Sequence, residues 1–374
     1  MQPTCEVAHI LHKIGKGIDS IGLNGWQLRT LSAIKRCRTA ELGGHVDACD
    51  GCGNISISYN SCRNRHCPKC QGSNREEWIK AREAELLPVS YFHVVFTLPS
   101  VINSLAMHAP KQVYDTLFEA AWETIACFGK NKGVHLGMIS VLHTWGQNLS
   151  LHPHLHCIVP GGGVEKDGQW KQISSDGKYL FSVKAMSKVF RAKYCEKLKE
   201  KLPEQYLSIR KELWGKDWVV YAKRPFGDSR SVIEYLGRYT HKVAICNHRI
   251  KAITDQTVDF VYKDYKQSGI KKVMRLTNSE FIRRFAQHIL PKRFVKIRHH
   301  GILSSTWKRS KLKNLQEKLH VKVTEKKVKS KEPPLRKCPC CGEGRLFTIS
   351  VFFERGPPVN DLGTSRKANS CIEI

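Results

Sequence analysis

Three histidines at alternate positions, His152, His154 and His156, have the spacing that most clearly indicates chemistry. They lie in residues 152–159, a segment whose composition is typical of a β-strand. Because side chains alternate between the two faces of a strand, all three imidazoles are expected on one face. Neutral imidazoles that share a face can hold a divalent metal ion. The alternative is a group of histidines that only pack or face solvent.

A catalytic metal needs a further protein ligand and open positions for a substrate. We expect this third ligand to be the carboxamide oxygen of Gln147, seven residues before His154, with His143 and His152 as alternatives. Two imidazoles and one oxygen ligand would suit Mg²⁺ or Mn²⁺ bound to a scissile phosphate. Such an ion neutralises the charge that develops when a phosphodiester bond is cleaved.

Two tyrosines in a predicted helix over residues 230–240 are candidate nucleophiles. Tyr235 and Tyr239 are four residues apart, so a helix places both phenols on one face. A tyrosine has an ordinary pKa of about 10, and a nearby metal ion or cation would assist its deprotonation. Arg238 and Lys242 flank the pair and are candidate phosphate contacts. The alternative is that both tyrosines only pack against a sheet.

Two Cys-x-x-Cys pairs indicate a structural metal site in the N-terminal part of the chain. The pairs consist of Cys49 with Cys52 and of Cys67 with Cys70, and Cys62 is an additional candidate ligand. Four thiolates at this spacing are typical of one tetrahedral zinc ion. Basic residues between the pairs predict that this module binds nucleic acid, and the alternative is a purely structural zinc clip.

A third pair, Cys338 and Cys341, repeats the same spacing near the C-terminus. It has no second pair beside it in the sequence. We therefore do not expect a complete second zinc site there, unless Cys5, Cys37 or a distant histidine supplies the remaining ligands.

The composition indicates a folded protein with a polyanionic partner. Lys and Arg number 62 against 33 Asp and Glu, a net charge of +29, which favours contacts with nucleic-acid phosphates. A basic surface without a dedicated partner is the alternative. The chain shows no export signal and no apolar run near the roughly 20 residues that span a bilayer. We expect a soluble cytoplasmic protein that joins the nucleoid when bound to DNA, where a reducing environment leaves the cysteines free for metal.

The elements that would carry these residues form a mixed α+β pattern. Strands are predicted at residues 91–99, 138–145 and 154–159, and helices at 110–130 and 185–202. Later in the chain, strands are predicted near 243–250, 257–263, 271–276 and 293–298, and a helix near 279–289. We divide the chain into N-terminal helices with a zinc-binding module (1–88), a catalytic domain (89–307), and a basic linker, cysteine pair and disordered tail (308–374).

The order of these motifs resembles the insertion sequence 91 family of transposases. The resemblance is carried by four segments, residues 61–71, 92–99, 152–156 and 235–241, and it covers roughly residues 5–345. This family belongs to the two-tyrosine group of His-hydrophobic-His (HUH) endonucleases.

The resemblance implies a ferredoxin-like nuclease core with an antiparallel sheet and packed helices, preceded by a small zinc-ribbon-like module. His154 and His156 would hold the catalytic metal on a central strand. Tyr235 or Tyr239 would attack a single-stranded DNA phosphate and leave a 5′-phosphotyrosine link with a free 3′-OH. A second tyrosine would allow the strand exchange of rolling-circle transposition, and single-stranded ends of a mobile element would be the partner.

Two other functions share some of these features. A rolling-circle replication initiator makes the same nick, but the zinc module before the core and the lack of a Gly-x-x-x-x-Gly-Lys motif favour a transposase. A noncatalytic zinc-ribbon protein that binds nucleic acid would explain the charge and the cysteines. It would leave the histidine strand and the tyrosine pair without a role.

Overall fold

A computed structural model describes residues 5–70, 79, 85–173, 180–223, 232, 237, 242–319 and 336–353. The helices with described bounds are α1 (Val7–Ile14), α2 (Gly25–Lys35), α3 (Asn103–His108), α4 (Pro110–Asn131), α5 (Val183–Lys201), α6 (Pro203–Trp214), α7 (Asn278–Ala286), α8 (Ser305–Trp307) and α9 (Lys313–Lys318). The strands are β1 (Gly44–Cys49), β2 (Ile55–Tyr59), β3 (Tyr91–Thr97), β4 (Gly137–Trp145), β5 (Leu151–Pro160), β6 (Gly162–Val164), β7 (Trp170–Gln172), β8 (Val220–Lys223), β9 (Ile250–Ile253), β10 (Thr257–Asp264), β11 (Ile270–Thr277), β12 (Ile297–Gly301) and β13 (Leu346–Phe352). Tyr235, Arg238 and Tyr239 lie outside the described residues, as do most of the predicted linker and the tail.

The central sheet has the strand order β12-β4-β5-β3-β8, and each neighbouring pair is antiparallel. In chain order its elements run β3, α4, β4, β5, α5 and β8. This is the β-α-β-β-α-β pattern of ferredoxin-like folds, with β12 added at the edge beside β4. The predicted α+β class, with an antiparallel sheet and packed helices, is confirmed.

One face of this sheet is buried beneath helices. Phe92, Val94 and Phe96 alternate along β3, and each is at most 1% exposed within the main hydrophobic core. Leu155 and Cys157 of β5 belong to the same core and are completely buried. Because side chains alternate along a strand, the histidines between these residues point to the opposite face.

A second core joins the N-terminal helices to a three-stranded sheet formed by β9, β10 and β11. It includes Ile10 and Leu31 from α1 and α2, Phe260 from β10, and Phe281 from α7. The predicted division near residue 88 stays a prediction. This core contains residues from both sides of it.

A small sheet of three strands connects distant parts of the chain. In it β1 lies between β2 and β13. Asp47 of β1 is only 1% exposed, and its carboxylate accepts hydrogen bonds from Arg336 and from Thr348 Oγ1. The segment 336–353 is therefore held against the β1–β2 hairpin.

Three predicted segments differ from the structure. The strand predicted near 293–298 begins later, as β12 at Ile297–Gly301. The predicted linker begins at residue 308, but residues 308–318 form a π-helical turn and α9 directly after α8, because Leu312 and Leu315 are buried in a cluster with Ile302. The strand predicted near 243–250 is a short 3₁₀ turn at residues 247–249 followed by β9. Among the described residues, no helix combines the length and apolar composition needed to cross a bilayer.

Candidate active site and metal centres

Three histidines from two neighbouring strands converge on the face of the central sheet that α4 and α5 leave uncovered. In the register of β4 with β5, His143 lies opposite His154, and Val141 lies opposite His156. One ligand nitrogen from each of the three histidines lies within 4.8 Å of the others. His143 and His156 are 3% and 8% exposed. We call His143, His154 and His156 the histidine triad, and it has the ligand types and spacing of a metal site.

The structure groups His143 with His154 and His156, and Gln147 as a ligand stays a prediction. Gln147 follows the end of β4, where its backbone carbonyl accepts a hydrogen bond from Arg249. His143 lies within β4, directly across from His154, and it was one of the two alternatives. The pairing register of the two strands determines which side chains meet, and it brings His143 beside His154.

Hydrogen bonds to the second ring nitrogen orient two of the triad imidazoles. Nδ1 of His154 lies 2.7 Å from the backbone oxygen of His152. A carbonyl oxygen can only accept, so this nitrogen carries the proton and Nε2 keeps its lone pair. Nδ1 of His156 lies 3.0 Å from Nε2 of His93 on β3. Such contacts around a metal-binding histidine fix the ring and leave Nε2 available for the ion.

His93 was not predicted as a functional residue. It is 3% exposed on β3, and its ring lies nearly parallel to that of His156, at an angle of 13° with 5.2 Å between the centroids. The signal in the sequence is a single polar residue between Phe92 and Val94 in an otherwise apolar strand.

Burial keeps His154, His156 and the neighbouring His93 neutral at pH 7. Burial lowers the pKa of His154 to about 4 and that of His93 to about 4. Burial, followed by the nearby charge of His154, lowers the pKa of His156 well below its ordinary range. The positive charge of Lys242 lowers the pKa of His154 and of His156 further, by a smaller amount. At pH 7 these rings are free to accept a metal, and Lys242 supplies positive charge nearby.

Val232 marks where the segment before the two tyrosines meets the sheet. Val232 is helical and completely buried, and it belongs to a hydrophobic cluster with Val141 and Ile158. Both partners share the sheet face of the triad, since Val141 lies opposite His156 and Ile158 is two residues beyond it. Val232 precedes Tyr235 by three residues.

The cysteines form two clusters of four rather than the single predicted site. Cluster A consists of Cys37, Cys62, Cys67 and Cys70. Cluster B consists of Cys49, Cys52, Cys338 and Cys341. Cys62, an additional candidate from the sequence, belongs to cluster A.

Strand geometry explains why the two predicted pairs separate. Cys49 and Cys52 stand at the turn between β1 and β2, whereas Cys67 and Cys70 follow β2. The five residues of β2 span roughly 17 Å at about 3.3 Å per residue, so the pairs lie towards opposite ends of the hairpin.

The sulfur spacing within cluster A matches a tetrahedral zinc ion. Sγ of Cys70 lies 3.5 Å from Sγ of Cys37 and 3.7 Å from Sγ of Cys62. Zinc–sulfur bonds of about 2.3 Å place neighbouring sulfurs of a tetrahedron about 3.8 Å apart. The cluster is well shielded, since Cys37 and Cys67 are completely buried.

Two basic residues beside the cysteines of cluster A, Arg65 and Lys69, make contacts within the protein. Arg65 donates to the backbone oxygens of Phe294 and Pro291, which lie just before β12. Lys69 donates to the backbone oxygen of Cys37 and pairs with Glu6 at 2.6 Å. These contacts favour the structural zinc clip over the nucleic-acid-binding module.

The segment held by Arg65 also reaches the histidine triad. His66 Nε2 accepts from the backbone N–H of Leu290 at 3.3 Å. Nearby, His288 contacts Thr144 Oγ1 and the backbone oxygen of Leu149, each at 3.2 Å. Thr144 follows His143 in the chain, so cluster A and the triad share one continuous packed region.

Comparison with known proteins identifies the family. A family model described as "Transposase zinc-binding domain" matches residues 10–98, and one described as "Putative transposase" matches residues 137–311. The "Putative transposase y4qJ" of Sinorhizobium fredii is 40% identical, over 94% of this chain and 97% of that protein. The chain belongs to the insertion sequence 91 family of transposases.

A second relative of this transposase is the "Transposase for insertion sequence element IS801" of Pseudomonas savastanoi pv. phaseolicola. It is 26% identical, over 88% of this chain and 85% of that protein. A solved structure described as "Conjugative Relaxase TRWC in complex with ORIT dna, cooper-bound structure" matches 48% of this chain and 69% of that one, at 12% identity. Its TM-score is 0.23, so nothing further rests on it.

The matched zinc-binding segment contains all of cluster A but only half of cluster B. Cys49 and Cys52 lie within residues 10–98, while Cys338 and Cys341 lie beyond both matched segments. The family match therefore supports zinc binding by the four cysteines of cluster A. Cluster B needs two cysteines, Cys338 and Cys341, that lie outside the matched segments.

We predict that Cys67→Ser destabilises the second core as a whole. Loss of a structural zinc removes several kcal/mol of folding free energy, and Cys67 packs in the same core as Phe281 of α7. Hydrogen exchange should therefore accelerate in α7 as well as in α1 and α2. Cys127→Ser is the control, because Cys127 lies on α4 outside both clusters. Faster exchange restricted to residues before 71 would show that cluster A stabilises a separate module.

Proposed function

We propose that this transposase nicks and rejoins single-stranded DNA through a 5′-phosphotyrosine intermediate, with Mg²⁺ or Mn²⁺ held by His143, His154 and His156. The observation that carries the proposal is the convergence of three imidazoles from β4 and β5 on the face against which Val232 packs. The sequence then leads within a few residues to Tyr235 and Tyr239.

The three imidazole nitrogens of the histidine triad are suitable ligands for a divalent metal ion. His154 and His156 each have their Nδ1 engaged by a neighbour, and low pKa values keep both rings neutral. When bound, the metal would polarise a nonbridging oxygen of the scissile phosphate. An open position for that oxygen is expected because three protein ligands leave the coordination sphere incomplete.

In the proposed reaction, the phenolic oxygen of Tyr235 or Tyr239 attacks the phosphorus. A bond forms between that oxygen and phosphorus, and the bond from phosphorus to the 3′ oxygen breaks. The phenol loses a proton and the departing 3′ oxygen gains one, so the step is balanced in charge. Because the phosphotyrosine link conserves the bond energy, a 3′-OH from another strand can reverse the step without ATP.

Cations near the triad support binding of a DNA backbone. Lys242 lies close enough to lower the pKa of both His154 and His156, and it is exposed to solvent. Lys296 donates to the backbone oxygen of Lys242 at 2.9 Å and lies 5.3 Å from the centre of the Trp145 ring. Lys296 thereby positions the backbone of Lys242. We retain Arg238 and Lys242 as proposed phosphate contacts.

Two tyrosines give the reaction a route to strand transfer. One tyrosine would keep a donor strand covalently bound while the other cleaves a second site. The rolling-circle form of transposition requires this exchange between two strands. If Tyr235 and Tyr239 lie one helical turn apart on the same face of a helix, both phenols would reach the same metal-bound phosphate.

We predict that the double variant Tyr235→Phe with Tyr239→Phe forms no covalent DNA adduct. Phenylalanine keeps the ring but removes the attacking oxygen. The assay incubates labelled single-stranded oligonucleotides from the ends of the element with Mn²⁺ and resolves adducts on a denaturing gel. Tyr265→Phe is the control, because Tyr265 is 71% exposed and follows β10, a strand outside the central sheet.

Each single tyrosine variant is expected to retain cleavage but to lose transfer between two strands. An adduct that persists in the double variant would remove both tyrosines from the mechanism. If the wild-type protein binds these oligonucleotides but forms no adduct with any of them, the noncatalytic binding protein becomes the better explanation.

We also predict that His93→Ala weakens Mn²⁺ binding at the triad by roughly 10–100-fold, the usual effect of losing a hydrogen-bond partner of a metal-binding histidine. The removed contact is the 3.0 Å hydrogen bond to His156 Nδ1. Binding is followed by the electron paramagnetic resonance signal of free Mn²⁺. His93→Gln, which keeps a hydrogen-bonding group, is expected to recover part of the affinity.

His108→Ala serves as the control for this measurement. His108 ends α3, and its ring contacts the backbone oxygen of Ser104 within the same helix. Equal Mn²⁺ affinity in wild type and His93→Ala would show that His93 does not position the metal ligand.

A further inference from the structure

Cluster B joins two segments that lie almost at opposite ends of the chain. Cys52 and Cys338, which belong to it, are 286 residues apart. We propose that cluster B binds a second zinc ion, which fastens residues 336–353 to the β1–β2 hairpin. This proposal concerns a metal site and does not rest on the proposed DNA chemistry.

The sulfur positions in cluster B fit zinc. Sγ of Cys49 lies 3.8 Å from Sγ of Cys341, and Sγ of Cys52 lies 3.8 Å from Sγ of Cys338. Both distances equal the roughly 3.8 Å edge of a tetrahedron with zinc–sulfur bonds of about 2.3 Å. They are far longer than the disulfide bond of about 2.05 Å. Four thiols at this separation form a coordination cage.

Backbone N–H groups donate to three of the four sulfurs. Gly51 donates to Cys49 and Cys340 donates to Cys338, each at 3.4 Å. Gly344 donates to Cys341 at 3.3 Å. Donors of this kind stabilise thiolates, which are the form of cysteine that binds metal. The turn at Cys49–Cys52 and the turn at Cys338–Cys341 therefore both stabilise the thiolate form of their cysteines.

Gly344 also closes the cage from the side of the C-terminal segment. A methyl group at this position would lie 2.4 Å from Sγ of Cys49 and 3.0 Å from the backbone nitrogen of Gly51. Only glycine permits the two turns to approach this closely. The fit between the two segments is therefore specific.

The small sheet needs such a cross-link because its apolar core is minimal. Among the described residues its buried cluster consists of Cys49, Cys338 and Leu346, and Phe352 of β13 is buried beside Tyr59. Ile55 and Ile57 on β2 are 64% and 57% exposed, so they add little burial. A unit with so little buried apolar surface usually depends on a metal or a covalent link. The hydrogen bonds from Arg336 and Thr348 to Asp47 align the strands, but they do not add buried apolar surface.

The two clusters differ in access to solvent, and this makes them distinguishable. Cys37 and Cys67 of cluster A are completely buried, whereas Cys52 and Cys341 of cluster B are exposed. A chelator or a thiol reagent should reach cluster B first. We expect zinc release from the full-length protein in two phases, the faster one from cluster B.

The first experiment counts zinc in the full-length protein by mass spectrometry of the metal. The count is made in a His154→Ala background so that the histidine triad does not contribute. We expect two zinc ions per chain, and one in the variant Cys338→Ser with Cys341→Ser, which should also lose the fast phase of release. Cys340→Ser is the matched control, because this exposed cysteine lies between the two ligands outside the cluster and should leave two ions.

A second experiment needs no cysteine variant and so remains decisive if the substituted protein misfolds. The zinc-loaded protein is treated briefly with iodoacetamide, and alkylated cysteines are identified by peptide mass spectrometry. Cys340 should react at once, while Cys338 and Cys341 should react only after a chelator is added, together with Cys49 and Cys52. Reaction of Cys338 and Cys341 as fast as Cys340 in the zinc-loaded protein would overturn the proposal, as would a count of one zinc ion in the His154→Ala protein.

Discussion

The register between β4 and β5 is the constraint on which the candidate site depends. It places His143 opposite His154 and aligns His156 with Val141. On the other face of the sheet, Leu155 and Cys157 are completely buried beneath the helices. A shift of one residue would exchange the two faces, burying imidazoles in the apolar core. The core that stabilises the sheet therefore also determines which nitrogens converge.

Outside this sheet, each cysteine cluster brings together segments that are distant in the sequence. Cluster A lies in the second core, and Arg65 connects it to the segment before β12. His288 continues this contact to Thr144, next to the triad. The zinc-binding region of this transposase is thus packed against the segment before β12, and Arg65 contributes to that packing.

Features that depend on local spacing could be predicted from the sequence. The alternation of His154 and His156 on a strand, the α+β class and the presence of cysteine metal ligands all follow from patterns within a few residues. The partners of each cysteine pair could not be predicted, because every Cys-x-x-Cys turn has the same local chemistry. The position of His143 beside His154 likewise depends on the register of two strands. The helices at 305–318 were missed because Leu312 and Leu315 are sparse among basic residues, and their burial depends on Ile302.

The central proposal is that the histidine triad is a divalent metal site at which DNA is cleaved. The most direct measurement is anomalous X-ray diffraction at the manganese edge from crystals of the full-length transposase soaked in Mn²⁺. We predict one strong manganese peak bonded to His143, His154 and His156, which disappears in crystals of His143→Ala. A manganese peak elsewhere, with none at the triad, would contradict the assignment of this site.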